Sequence, residues 1–345
     1  MDPQLFLADL EEKPRRLTDL ATSLRDADPW TDVGRGQELL LLGMGSSHYA
    51  NQVAASRLRH AGVRAVAELA ASELVPHVGP ETVVLAVSAS GGSRETLDAV
   101  RRLREVSGAR FVALTNREDT ELGALCDRTV SMRAGLERGG VACRSYQHTL
   151  ALLLALEARL TRSPDVPTLL DRAAEAASYL LGGRAAWLPD AADALLGPSG
   201  THVVAPARRI GSALQSALML REGPRLPAYA CETADWSHVD VYLTKTTDYR
   251  MLLLTGSDHE DELLRWVRER GSTVVAVGGE VPGATMTVRY PHDGVDDVRL
   301  LVEPLVAELL AAHAWPTQRA RRANSTSQSA GGGLLAGAER GDVGA

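Results

Sequence analysis

Short apolar runs alternate with stretches of helical spacing along most of this chain. Residues 3–25 place Leu5, Leu7, Leu10, Leu17, Leu20 and Leu24 at helical intervals, with Pro14 interrupting and Pro29 ending the segment. Gln37–Gly43 then reads as a short buried strand between Gly36 and Gly43-Met44-Gly45, and Ser46–His60 as a helix. Val63–Glu68 predicts a second strand, Ala70–Val75 a short helix and Thr82–Val87 a third strand. A helix to about Val106 follows. Arg110–Thr115 and Cys126–Met132 predict two more strands, and residues 145–162 a long apolar helix.

The second half repeats the scheme. It predicts strands at His202–Ala205, Met251–Thr255, Thr273–Val277 and Thr285–Tyr290, and helices at Ile210–Leu220, Asp258–Arg270 and Val295–Trp315. Strands that alternate with helices imply parallel sheets covered on both faces. The like order of the two halves points to an internal duplication. The expected division is an N-terminal helix (1–30), a first α/β unit (31–165), a helical linker (166–195), a second α/β unit (196–316) and a tail (317–345). The tail, rich in Ser, Ala, Gly and Arg, is expected to be disordered.

The strongest local signal is Ser88-Ala89-Ser90-Gly91-Gly92-Ser93, between the third strand and its helix. Such a loop offers free backbone N–H groups, the positive end of a helix dipole and several hydroxyls. It lacks the Lys-Ser/Thr ending of a P-loop and the spacing of a dinucleotide fingerprint, so a small phosphorylated molecule suits it better than ATP or NAD. The plain alternative is a serine cap, which needs only one such residue. Gly45, Ser46 and Ser47 form a second loop at a strand's carboxyl end. In parallel sheets ligands bind at those ends, near a switch point, so the two loops are expected to face one pocket.

Composition narrows the choices. The formal net charge of −7 argues against broad nucleic-acid binding, and an aromatic content of 4% against a base-stacking platform. Cys126, Cys143 and Cys231 have no metal-cluster spacing, so no metal and no cofactor are expected. No apolar run is long enough for a membrane span and the first residues do not read as a signal peptide, so a cytoplasmic location is expected. Lys13 and Lys245 are the only lysines, which leaves few candidates for Schiff-base chemistry.

The motifs together resemble a known family. GMGSS follows the first strand, SASGGSRET the third, LTN the fourth and GLERGGVAC the fifth; ALMLRE and ETADWSH lie in the second half. Over about residues 1–316 this order is similar to the double-SIS (sugar isomerase) proteins, such as the isomerase domain of glucosamine-6-phosphate synthase. The resemblance implies two SIS-type, flavodoxin-like parallel-sheet subdomains sandwiched by helices. It implies a hexose or aminohexose 6-phosphate ligand whose phosphate is held by Ser46, Ser47, Ser88, Ser90 and Ser93, with Gly45 and Gly91 in the pocket. It makes Glu222 the base that moves a proton between C1 and C2, and His238 the group that assists ring opening. Glu137 and Arg144 become further pocket residues, and Asp240 a group that could orient His238. A homodimer with a shared active site is also implied, with His238 as a residue the partner could supply.

The departures bear on the reaction. Ala89 and Gly92 stand where the family has Gln and Glu, Met219 where it has Lys, and Arg144-Ser145 where it has Thr-Lys. Val239-Asp240 replace Gly-Pro after His238, and the tail has no counterpart of the imine-forming Lys. No glutaminase domain is seen and no Cys lies near Met1, so ammonia transfer from glutamine is not expected. Isomerisation or deamination of the sugar phosphate remains open. So do water elimination from N-acetylglucosamine 6-phosphate and a non-catalytic sensor role.

Overall fold

A computed structural model describes residues 1–331, with side chains through Ala320. The chain opens with α1 (Pro3–Glu11) and α2 (Lys13–Asp26), and continues through β1 (Glu38–Gly43), α3 (Ser46–His60), β2 (Ala65–Leu69), β3 (Thr82–Val87) and α4 (Arg94–Val106). Then come β4 (Arg110–Thr115), α5 (Glu121–Leu125), β5 (Arg128–Ser131), α6 (Arg144–Thr161), α7 (Val166–Gly182) and α8 (Arg184–Leu195). The second half holds β6 (Thr201–Ala205), α9 (Ile210–Glu222), β7 (Ala228–Glu232), β8 (Arg250–Leu254), α10 (Glu260–Glu269), β9 (Thr273–Val277), β10 (Met286–Val288), α11 (Asp296–Val302) and α12 (Pro304–Gly331).

The strands form two five-stranded parallel sheets, ordered β2-β1-β3-β4-β5 and β10-β9-β8-β6-β7. The central strands are buried almost end to end, as expected for sheets covered on both faces. One apolar core runs through both sheets and the helices between them, and each sheet has a smaller core on its outer face. The fold is thus the duplicated α/β architecture read from the periodicity.

Several local expectations differ. Ala70–Val75 is a turn, not a helix: Ser72 N–H donates to Leu69 O, and the Leu74 N–H to Ser72 Oγ at 3.2 Å. Val75 directly precedes Pro76, and a residue before proline avoids the helical region. The helix expected over Val295–Trp315 is two helices, because Pro304 lacks the N–H that would continue α11 and suits the first position of α12. The segment 166–195, expected as a helical linker, is helical: α7 packs on α2 and α11, and α8 on β8, β9 and α12. Helix α12 continues to Gly331, through part of the segment expected to be disordered, and residues 332–345 lie outside the described residues. Strand β7 was not signalled by its short, half-exposed sequence AYACE.

The N-terminal helices are tied in by charge. Lys13 Nζ donates to Glu308 on α12, and both side chains are almost fully buried. Burial and loss of water push the Glu308 carboxyl up, while Lys13 opposes that. Removing one partner of a buried pair leaves an uncompensated charge, typically costing about 3–5 kcal/mol. Lys13→Met is therefore expected to lower stability by several kcal/mol in denaturant unfolding, and Lys13→Met/Glu308→Leu to recover most of the loss. A double variant no more stable than the single one would refute this accounting.

Candidate functional site

The first sheet changes direction between β1 and β3. These strands are neighbours, and β1 leads outward to β2 while β3 leads back to β4. Their carboxyl ends carry Gly43–Ser47 and Ser88–Ser93, so the two loops lie side by side at the switch point. Helix α3 starts after Gly45 (φ 50°) and α4 after Ser93, and neither has a side-chain cap. The serines therefore do not serve the capping role that was their plain alternative. Gly91 closes the second loop with φ 64°; a Cβ there would lie 2.4 Å from Thr120 Cβ, so both backbone and space require glycine.

The hydroxyls differ in commitment. Those of Ser47 and Ser88 have no hydrogen-bond partner among the described residues, and Ser88 is buried. Ser90 Oγ accepts from Gly92 N–H at 3.3 Å. Ser93 Oγ donates to Glu95 at 3.1 Å and accepts from Thr96 Oγ1 at 3.2 Å, so a ligand reaching it must turn it away from Glu95. Ser46 donates instead to Gln215 Oε1 at 2.7 Å.

That last bond reaches into the second half of the chain. Gln215, fully buried on α9, also donates from Nε2 to Ala142 O at 2.9 Å. Gln215 was not singled out from sequence, although it lies seven residues before Glu222 and hence on one helix face with it. Seven residues along a helix carry the chain roughly 10 Å. Glu222 ends α9, half-buried, and burial followed by the nearby Glu137 carboxylate raises its pKa above 4.5. It lines a cleft of about 360 Å³ with Gly223, Arg225, Trp315, Arg319 and Met1. Glu137 lines a second cleft of about 360 Å³, with Ser90, Asn116, Arg117 and Ala142. The clefts adjoin where Met1 meets Gly140, which belongs to the lining of the second. Another cleft, of about 560 Å³, sits at the opposite, amino end of β1 and β3, away from these groups.

Three expected pocket residues are employed elsewhere. Glu137 faces the cleft, but its Oε1 accepts from the N–H groups of Cys143 (2.7 Å), Arg144 (2.7 Å) and Ser145 (3.1 Å), and its Oε2 from Ser145 Oγ (2.7 Å). It is the anion at the positive end of α6. Arg144 does not face the pocket. It is buried against Asp9, Glu12 and Leu136 O, binding α1 and α2 to the loop before α6. Asp240 does not orient His238: it accepts from His202 Nδ1 at 3.2 Å and Tyr249 OH at 3.1 Å. His238 itself is exposed beyond β7, with no hydrogen bond or ion pair to Glu222. Asn116, in the LTN motif, takes a positioning part that the sequence left unassigned. Its N–H donates to Ala89 O, its Nδ2 to Gly135 O, and its Oδ1 accepts from Ala134 N–H.

The second sheet has its own switch point, between β6 and β8, and it is filled by the protein. Glu260 accepts from the N–H groups of Gly256 and Ser257. Arg209 bonds Glu303, Asp296 and Thr255 O, while Arg208 bonds Gly256 O at 2.6 Å and Arg299 bonds Thr255 O at 2.9 Å. Protein side chains here satisfy the groups that the first switch point leaves open.

Comparison with known proteins fits this geometry. Residues 36–159 match the SIS domain. The isomerizing glutamine–fructose-6-phosphate aminotransferase of Aeropyrum pernix is 29% identical over 312 residues, covering 84% of this chain and 48% of that protein. The chain thus spans about half the length of that relative. Among solved structures, the C-terminal domain of the Francisella tularensis glucosamine-fructose-6-phosphate aminotransferase superposes with a TM-score of 0.75 at 14% identity, covering 91% of this chain and 96% of that one. Tagatose-6-phosphate ketose/aldose isomerase from Escherichia coli gives a TM-score of 0.74 at 16% identity, covering 91% and 92%. At such identities the superpositions establish the shared fold.

The raised Glu222 pKa has a stability consequence. A carboxyl raised on folding favours the folded state below its unfolded pKa, and that contribution is lost as pH rises through the folded value. Ionised Glu222 thus costs stability at neutral pH. Glu222→Gln is expected to melt above the parent protein at pH 7, with the gap closing towards pH 4. A variant that melts lower at pH 7 would contradict the burial argument.

Proposed function

We propose that this chain, which carries a SIS domain and is homologous to isomerizing glutamine–fructose-6-phosphate aminotransferases, acts on a hexose or aminohexose 6-phosphate by moving a proton between C1 and C2. The observation that carries this reading is the switch point itself. Two helix N-termini without side-chain caps and the uncommitted Ser47 and Ser88 hydroxyls lie together there, and the Ser46–Gln215 bond ties them to α9, the helix that ends in the half-buried Glu222. Helix N-termini and hydroxyls suit a phosphate dianion without any Lys. A carboxylate with a raised pKa, in a site partly closed to water, suits proton removal next to a carbonyl.

The phosphate sits against Ser47, Ser88, Ser90 and Ser93 and so fixes the sugar's reach. Binding energy at that end becomes orientation at C1 and C2, which face Glu222. Glu222 takes the proton from one carbon and returns it to the other through an enediol or enolamine. Glu137 keeps Glu222 basic by repulsion while its own carboxylate stays anchored to α6. His238, exposed and apart from Glu222, suits a role across a dimer, where a partner's copy would help to open the ring.

The test is exchange of carbon-bound hydrogen in heavy water, followed by NMR: at C2 of glucose 6-phosphate and glucosamine 6-phosphate, and at C1 of fructose 6-phosphate. Glu222→Gln is expected to bind but exchange at least about 100-fold more slowly, as for loss of a positioned base. Ser88→Ala/Ser90→Ala is expected to lose most of the binding. Tight binding without exchange in the parent protein would leave a sensor, not an enzyme. Glu137→Gln, which removes a repelling charge, is expected to shift the acid limb of the rate profile to lower pH. An unmoved limb would separate Glu137 from the base.

A further inference from the structure

The cleft at Glu222 is lined by none of the phosphate-loop serines and adjoins the cleft that Ser90 lines. On the reading above, a hexose 6-phosphate anchored at the serine loops presents C1 and C2 to Glu222, and this cleft offers room for a substituent on that end. The cleft is about 360 Å³ and is walled by Trp315, whose ring tilts against Phe6 with centroids 5.6 Å apart. Gly223 lets the end of α9 close on that indole, since a Cβ there would stand 2.8 Å from Trp315 Cε3.

Two guanidinium groups line the cleft. Arg225 has no ion-pair partner among the described residues. Among the described residues Arg319 pairs with Asp2 alone, at a long 3.8 Å between exposed side chains. Among the described residues Glu222 is the one carboxylate in the lining, against two guanidinium groups, in a chain whose formal net charge is −7. Arg225 also holds φ 58°, a left-handed backbone that Gly or Asn would adopt with less strain.

We infer that this cleft is a subsite for an oxyanion, a carboxylate or a phosphate, carried on the C1–C2 end of the sugar phosphate. The substrate is then anionic at both ends: the 6-phosphate on the serine loops, the second oxyanion on Arg225 and Arg319, and the reacting carbons between them at Glu222. Guanidinium forks match carboxylate and phosphate oxygens in paired hydrogen bonds, which a neutral amide does not reproduce. The inference rests on the phosphosugar reading above and goes beyond it by naming a substituent.

Calorimetric titration of the full chain tests it with four probes: glucose 6-phosphate, the 6-phosphate of a fructose–glycine ketosamine, its glycinamide counterpart, and glucose 1,6-bisphosphate. The glycine adduct or the bisphosphate is expected to bind about tenfold or more tightly than the glycinamide adduct, as for hydrogen bonds to a charged group. Whichever charged probe gains more identifies carboxylate or phosphate as the source. Arg225→Gln/Arg319→Gln is expected to bring the charged-to-neutral ratio close to one, and Arg225→Lys to keep part of it. Taking the ratio within each variant cancels any general damage to the fold. Equal affinity for the charged and neutral probes in the parent protein overturns the subsite while leaving glucose 6-phosphate binding, and the anchor, intact. If no 6-phosphate binds at all, the anchor reading fails and the subsite fails with it.

Discussion

The buried amide of Gln215 is the contact on which the site depends. It accepts from Ser46 at the head of α3 and donates to Ala142 O ahead of α6, so it joins the first serine loop and the loop before α6 to a helix of the second half. That helix ends in Glu222, and the register of Gln215 sets how far the carboxylate stands from the serine loops. Gly211 allows the close approach: a Cβ there would lie 2.7 Å from Val53 on α3. A buried amide with both ends paired is stable only in one register, because a slip would leave polar groups unsatisfied in the core.

The duplication gives the molecule two switch points with opposite fates. At the first, the helix termini have no side-chain caps and two hydroxyls are uncommitted. At the second, Glu260 takes the loop N–H groups, and Arg208, Arg209 and Arg299 are spent on carboxylates and carbonyls. Arg57 on α3 adds ion pairs to Glu157 and Asp297 across the same side. One half of the repeat thus serves as scaffold for the other. Burial in that scaffold raises the Glu303 carboxyl to about 7 against the pull of Arg209, a cost that the network's bonds offset.

Much of the fold was legible because its strands are bounded by turn residues and buried on both faces. Thr82–Val87, Arg110–Thr115 and Thr273–Val277 begin and end where the apolar runs do. The serine loops were legible too, since a glycine- and hydroxyl-rich break after a strand has a local cause. Arg144 was not, because its partners Asp9 and Glu12 lie more than a hundred residues away and meet it only through packing. Asp240 was misread for the same reason: nearness in sequence to His238 suggested a pair, while the fold brings it to His202 and Tyr249. Gln215 could have been found by stepping back two turns from Glu222, but its partners belong to another part of the chain. Local patterns locate loops and strands, whereas the commitments of polar side chains are decided by long-range packing.

A crystal structure of the chain bound to glucose 6-phosphate tests the central claim most directly. The account predicts the phosphate between the starts of α3 and α4, touching Ser47 and Ser88, with C1 and C2 turned towards Glu222. A phosphate seated at the second switch point, or one at the serine loops with C1 and C2 turned away from Glu222, would contradict it.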